Sequence, residues 1–224
     1  MEKKASKYRY ERKFYIDKID HLNVINYIKT HPSLFTEIYS ERKVNNIYFD
    51  TLNFKSFFEN IDGIASRKKI RIRWYGDTFF KSFSPVLEIK NKDGLVGFKN
   101  SFKLKTMIID DNINFKYINS IIKNSNLPLF MSSYYPKFIN SYNRRYFQSF
   151  DKSYRITIDY DLKFFKLNNL KNTFNNSRKL SNPVIVEIKY NNDLDDNINR
   201  ITSLFKFRLT KSSKFVSGIN LFYN

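Results

Sequence analysis

Runs in which charged and apolar residues alternate one for one set the strongest limit on what this chain can fold into. Lys69, Arg71 and Arg73 alternate with Ile70, Ile72 and Trp74, while Arg155, Thr157 and Asp159 alternate with Tyr154, Ile156 and Ile158. The tripeptide Glu-Ile-Lys occurs twice in the same kind of setting, at Glu88–Lys90 and at Glu187–Lys189. Successive strand side chains point to opposite faces, so each run presents one ionic face and one apolar face. A flat antiparallel sheet with a solvated polar side satisfies this pattern. So does a sheet closed on itself, with the charges turned inward and helices over the apolar outside. Residue type favours closure: solvated faces usually mix threonine and serine with their charges, whereas these carry consecutive Arg, Lys and Glu.

The chain has 224 residues, 42% of them hydrophobic, enough for a substantial core. It has no cysteine, which excludes disulfides, thiol catalysis and cysteine metal sites. Its two histidines, His21 and His31, sit near no other obvious ligand and read as structural or surface residues. No run resembles a transmembrane segment, and no apolar stretch follows the N-terminal lysines as a signal peptide requires. Cytoplasmic residence is the expectation. The net charge of +19 points to polyanions, whether nucleic acid, anionic membrane or phosphate compounds. The bias toward Lys, Asn, Ile, Phe and Tyr fits an AT-rich coding sequence, so many lysines serve general solubility. Arginines inside apparent strands (Arg71, Arg73, Arg144, Arg145 and Arg155) are more telling.

Periodicity places strands at about 8–17, 44–49, 68–75, 85–90, 98–105, 141–149, 154–161 and 184–190, with 91–94 connecting two of them. Asp20 caps a helix running to about Lys29, and further helices are expected at 113–124 and 193–207. Phe54, Phe57 and Phe58 suggest a short packed segment before the turn at Asp62-Gly63. Residues 126–138, with Pro128 and Pro136, read as an irregular crossing. The asparagine-rich stretch 163–182 reads as a mobile excursion rather than a linker. The tail 210–219 holds a basic-hydroxyl group, Lys211, Ser212, Ser213 and Lys214.

Closure would make the charged faces a tunnel, mostly cationic and self-repelling when empty. An elongated phosphate ligand offsets that repulsion, through bidentate arginines and mobile lysine point charges. Glu11, Glu88, Asp159 and Glu187 would be exceptions, either paired with cations or holding Mg²⁺ or Mn²⁺ against phosphate oxygens. Residue types alone leave both roles open. Gly94 and Gly97 bracket Leu95 and Val96 without forming a phosphate-cradling loop. No Ser/His/Asp arrangement and no nucleic-acid motif stands out, so no specific nucleic-acid partner is expected.

Five segments in order carry a family resemblance: Tyr10-Glu11-Arg12-Lys13-Phe14, Tyr48-Phe49-Asp50-Thr51, Lys69-Ile70-Arg71-Ile72-Arg73, Tyr142-Asn143-Arg144-Arg145-Tyr146 and Val186-Glu187-Ile188-Lys189. With Glu88-Ile89-Lys90 and Ser213-Lys214-Phe215, the chain resembles the catalytic domain of the vacuolar transporter chaperone (VTC) polyphosphate polymerases. That group lies within the triphosphate tunnel metalloenzymes, the CYTH-like superfamily. The resemblance implies a single domain over 1–224, mainly β with flanking helices (α+β), built as a closed antiparallel eight-stranded tunnel with a charged interior. It implies ATP-dependent transfer of the γ-phosphoryl group to inorganic polyphosphate, with triphosphate or pyrophosphate as related ligands. Arg71, Arg73, Lys90, Arg144 and Lys214 match the catalytic positions. Glu11, Lys13, Lys69, Lys103, Tyr142, Arg155, Lys189 and Ser213 match substrate-binding ones. Glu187 matches the carboxylate that holds Mn²⁺ or Mg²⁺, whereas Glu88 is expected mainly to pair with basic tunnel residues.

Two departures matter. Glu11 and Lys13 are a shortened form of the Glu-x-Glu-x-Lys signature of relatives that hydrolyse triphosphates. The regulatory inositol-phosphate domain and membrane spans of the eukaryotic complex are not expected, so the chain is similar to compact bacterial relatives. Any membrane attachment would be peripheral, through a membrane-protein partner. Hydrolysis of inorganic or nucleoside triphosphate is one alternative, and a noncatalytic polyphosphate-binding accessory or regulatory subunit is another.

Overall fold

The alternating runs are strands of one rolled sheet. The computed structural model describes residues 9–79, 81–82, 84–94, 96–110, 112–123, 125, 127–168 and 177–223. In chain order the elements are β1 (Arg9–Ile16), α1 (His21–Lys29), β2 (Thr36–Asp50), α2 (Lys55–Ile61), β3 (Arg67–Tyr75), β4 (Lys81–Ser82), β5 (Val86–Asp93), β6 (Val96–Lys103) and β7 (Met107–Ile108). They continue with α3 (Phe115–Lys123), β8 (Tyr135–Gln148), β9 (Arg155–Lys166), β10 (Arg178–Lys179), β11 (Val184–Asn191), α4 (Ile198–Thr202) and α5 (Lys214–Tyr223). The sheet order is β1-β11-β9-β8-β2-β3-β5-β6, antiparallel throughout, with β10 added to the end of β9 and a separate β4–β7 pair. No strand pairing joins the edge strands β1 and β6 among the described residues, but side chains reach across: Lys90 Nζ of β5, next to the β6 edge, donates to both carboxylate oxygens of Glu11 on β1, at 2.8 Å each. The architecture is a β-tunnel with flanking helices.

Helices cover the apolar outside. Asp20 begins α1 by accepting from the N–H groups of Leu22 and Asn23, which satisfies two of the helix's unpaired donors. Val24, Ile25 and Ile28 of α1 then pack on Phe14, Ile156, Val186 and Ile188. On the other side, Ile118 and Ile122 of α3 cover Ile47, Ile70, Ile72 and Leu87. Among the described residues no helix is long and apolar enough to cross a membrane.

A third apolar cluster lies inside the roll. Phe215 and Ile219 of α5 are buried with Tyr48, Phe138, Tyr142, Leu162, Phe164 and Ile185, drawn from the inner faces of β2, β8, β9 and β11. The helix thus fills one end of the tunnel and leaves the other end to the charges. Gly218 permits this, because a Cβ there would stand 2.2 Å from Phe138 Cζ.

Several boundaries differ from expectation. Tyr8 lies outside the described residues. β2 begins at Thr36 rather than near 44: its first half is solvent-facing and interrupted by bulges, so it shows no apolar alternation. β5 continues to Asp93, leaving the turn to Gly94 at φ +56° rather than to 91–94. The 126–138 crossing includes a 3₁₀ turn, Leu129–Ser133, and the first residues of β8. Within 163–182, β9 runs on to Lys166 and β10 pairs back with it, while 169–176 lie outside the described residues. The expected helix at 193–207 is a 3₁₀ turn, Asn192–Asn197, followed by the short α4; Asp195 and Asn199 there bond Tyr190 and Arg12. The tail, for which the pattern gave no element, enters α5 at Lys214.

Candidate active site

Strand register gathers the inward side chains in rows. Glu11, Lys189 and Arg155 lie side by side across β1, β11 and β9; Lys13, Glu187 and Thr157 form the next row. On the other half of the sheet, Lys69, Lys90 and Lys99 form one row across β3, β5 and β6, and Arg71, Glu88 and Ser101 the next. Of the expected site residues, Glu11, Lys13, Lys69, Arg71, Arg73, Lys90, Tyr142, Arg144, Glu187, Lys189, Ser213 and Lys214 all join the connected inner network. Lys103 and Arg155 sit on the same face, at exposed strand ends, and have no ion pair among the described residues. They belong to the rim.

Three carboxylate-centred groups organise this network. In the first, Glu88 accepts from Arg71 Nε at 2.8 Å and Lys99 Nζ at 2.7 Å, with Arg73 3.7 Å away. Burial alone would raise the Glu88 pKa, but Arg71, Arg73 and Lys99 outweigh it and bring it to about 2. Arg71 also donates to Tyr48 Oη at 3.3 Å. Arg73 donates to Asn46 Oδ1 at 2.9 Å and to Tyr142 Oη at 3.3 Å, and Asn46 in turn donates to Asn140. Arg73 is thus oriented by two neutral partners, whereas Arg71 engages Glu88 through Nε and Nη2 and Tyr48 through Nη1.

In the second group Asp159, almost fully buried, accepts from Arg144 Nε and from Lys214 Nζ, each at 2.5 Å. Its burial opposes ionisation, yet Arg144 and Lys214 hold it at about 2. Because Lys214 opens α5, this pairing fastens the plugging helix to the tunnel wall. Lys69 adds a second tie by donating to Ser213 Oγ at 3.0 Å. Burial, then the neighbouring charges of Lys13, Lys90 and Arg67, lower the Lys69 pKa to about 7. Burial opposes ionisation of Tyr142 too, but Arg144 and Arg73 bring its hydroxyl down to about 8.

Glu11 and Glu187 form the third group, bound by shared lysines. Lys13 lies 3.2 Å from Glu187 and 3.7 Å from Glu11, and Lys189 lies 2.8 Å from Glu187. Glu187 raises the Lys13 pKa, while Lys13 and Lys189 outweigh burial to keep Glu187 well below its ordinary value. Two carboxylates held ionised by neighbouring lysines suit Mg²⁺ or Mn²⁺, which take one or two carboxylates and complete their shells with phosphate oxygens and water. Among the described residues no group of three or more His, Cys, Asp or Glu side chains converges, so a protein-only cage is not offered there. The donors fit a metal held jointly with a phosphate ligand.

Sequence reasoning overlooked Lys99, Tyr48, Asn46 and Asn140. Lys99 had a usable signal, since it falls opposite Lys90 on the next strand. The neutral residues had none, because their value lies in orienting arginines from other strands. Asn140 Nδ2 and Thr157 Oγ1 are buried without a hydrogen-bond partner, two inward-wall polar atoms left over by the protein.

The rolled sheet thus has a cationic inner face and an apolar outer face. The chain belongs to the VTC domain family, whose model matches residues 8–223. No curated protein matches the sequence. Solved structures share the fold at low identity. A Vibrio parahaemolyticus protein assigned as an adenylate cyclase aligns with TM-score 0.52 and 10% identity over 92% of this chain and 95% of its own. HpAC1 from Hippeastrum, described as an adenylyl cyclase candidate with a dominant triphosphatase activity, gives 0.52 and 13%, covering 95% of each chain. The PH1819 protein of Pyrococcus horikoshii gives 0.50 and 12% over 96% and 98%.

Proposed function

We propose that this chain is a metal-dependent polyphosphate polymerase that moves the γ-phosphoryl group of ATP onto inorganic polyphosphate within a single tunnel domain. The observation that carries the reading is that strand register places Arg71, Arg73 and Arg144 on the same inner face of the roll as the Glu11–Glu187 pair. Arginines and lysines bind and align the phosphate chain, which replaces water with fixed positive charge where equatorial oxygen charge develops. Glu11 and Glu187 would hold Mg²⁺ or Mn²⁺, which supplies charge neutralisation to the bound phosphates. Lys13 and Lys189 move from these carboxylates to phosphate oxygens when the ligand enters. The acceptor is a phosphate oxygen, already ionised, so no protein base is needed.

A second reading, triphosphate hydrolysis, draws on α5: a tunnel filled at one end suits a short chain entering and leaving by the open mouth. The deciding experiment incubates purified protein with ATP and Mn²⁺ or Mg²⁺, with and without a short polyphosphate primer. ADP release matched by polymer lengthening supports transfer. Free phosphate without polymer supports hydrolysis, and tight binding without turnover supports an accessory subunit.

A further inference from the structure

The outer wall of the tunnel carries a polar row where its surroundings are apolar. Lys179, Lys163, Ser141 and Asn45 lie in register across β10, β9, β8 and β2. Flanking outward positions, Ile47, Ile139 and Phe165, belong to the core beneath α3. Thr78, in the loop after β3, closes the floor: it is buried, donates to Asn45 Oδ1 at 3.0 Å and meets Ser141 Oγ at 3.0 Å. Above this floor opens a cleft of about 540 Å³, bordered by Lys43, Lys163 and Lys179, by Phe79 and by the single carboxylate Asp77.

Two features of this cleft point to an anion. Lys163 and Lys179 are directly opposed in an antiparallel pair, an arrangement that is destabilising for like charges unless something negative lies between them. Lys43 brings a third ammonium to the same space, and among the described residues neither it nor Lys179 has an ion pair, while Lys163 has only a 3.4 Å contact with Asp161. The size suits a small phosphorylated molecule, since such sites typically run to several hundred cubic ångströms. Phe79, about one-third exposed and edge-on to Phe165, gives one side an apolar wall.

We propose that this outer cleft is a second anion site, separate from the tunnel, for a ligand carrying two or three linked phosphoryl groups. The three ammonium groups hold the phosphates, and the Phe79 wall takes a nucleoside when the ligand has one. The inference does not depend on what the tunnel catalyses.

Calorimetric titration of the full chain without divalent metal tests it, with tripolyphosphate in one arm and ADP in the other. Wild type should show two binding events in at least one arm. Lys163→Gln with Lys179→Gln should weaken one event about tenfold or more, as expected for lost charge-assisted bonds, and leave the other within about twofold. Arg73→Ala should do the reverse. A charge-matched control, Lys116→Gln with Lys123→Gln on α3, should change neither. Binding of ADP that is sensitive to Phe79→Ala identifies a nucleotide as the occupant; tripolyphosphate alone identifies an inorganic chain. A single event in wild type with both ligands overturns the proposal, as does a double variant that changes neither event or both equally. If Arg73→Ala changes nothing, the tunnel reading fails while the outer-site result stands.

Discussion

Gly218→Ala is the sharpest perturbation of the tunnel plug. In an ordinary helix this change gains about 1 kcal/mol of propensity. Here the new methyl would lie 2.2, 2.3 and 2.7 Å from three atoms of the Phe138 ring. Restoring normal contact requires a shift of about 1 Å or more. Phe138 has no room to give it, being fully buried against Tyr48, Phe164 and Phe222 at centroid distances of 5.2, 6.1 and 6.4 Å. Overpacking of this kind costs about 3 kcal/mol at the upper end of its range, so the net loss is about 2 kcal/mol. For a chain of this size that lowers Tm by roughly 4–8 °C, measurable by calorimetry or near-ultraviolet circular dichroism. The helix also carries Ser213 and Lys214 to Lys69 and Asp159, so tripolyphosphate affinity should fall with stability. Phe138→Leu in the same chain should recover part of the loss, with a coupling of at least about 0.5 kcal/mol. An unchanged or raised Tm for Gly218→Ala, or strict additivity with Phe138→Leu, would refute the packing of α5 described above.

Three further expectations follow from the ion pairs. Asp159→Asn strands Arg144 and Lys214 as buried cations and should cost about 3–5 kcal/mol in chemical denaturation, whereas Lys214→Met, which leaves the Arg144 pair intact, should cost clearly less. Glu88 has its pKa depressed from 4.5 to about 2 on folding, so its contribution, of order 3 kcal/mol, is full above pH 4.5 and lost as pH falls toward 2. The acid limb of the stability curve should therefore flatten in Glu88→Gln. Lys69, with its pKa lowered to about 7, loses its proton as pH rises through that value, so phosphate affinity should fall there in wild type relative to Lys69→Arg, whose guanidinium stays charged.

The strands and their charged faces were legible because a period of two in charge against grease needs only the residues of one strand; closure was favoured by residue type and implied by the resemblance. Lys69-Ile70-Arg71-Ile72-Arg73 declared both its strand and its inner face. What stayed hidden depended on partners far along the chain. Ser213 and Gly218 look like loop residues until Lys69 and Phe138 are brought against them from more than seventy positions away. The first half of β2 escaped because water covers it. The separate fates of Glu88 and Glu187 rest on the resemblance alone, since both carboxylates are paired with cations: Glu88 with Arg71, Arg73 and Lys99, Glu187 with Lys13 and Lys189.

Phosphoryl transfer along a tunnel-bound phosphate chain is the proposed activity. It is tested most directly by following ADP and polymer length together, with ATP, Mn²⁺ and a short polyphosphate primer, in wild type and Glu187→Gln. The account predicts one phosphoryl unit added to polymer for each ADP released. It also predicts a loss of about 10–100-fold or more in Glu187→Gln, with little change in Tm. Release of free phosphate with no lengthening, or full polymer synthesis by Glu187→Gln, would contradict it.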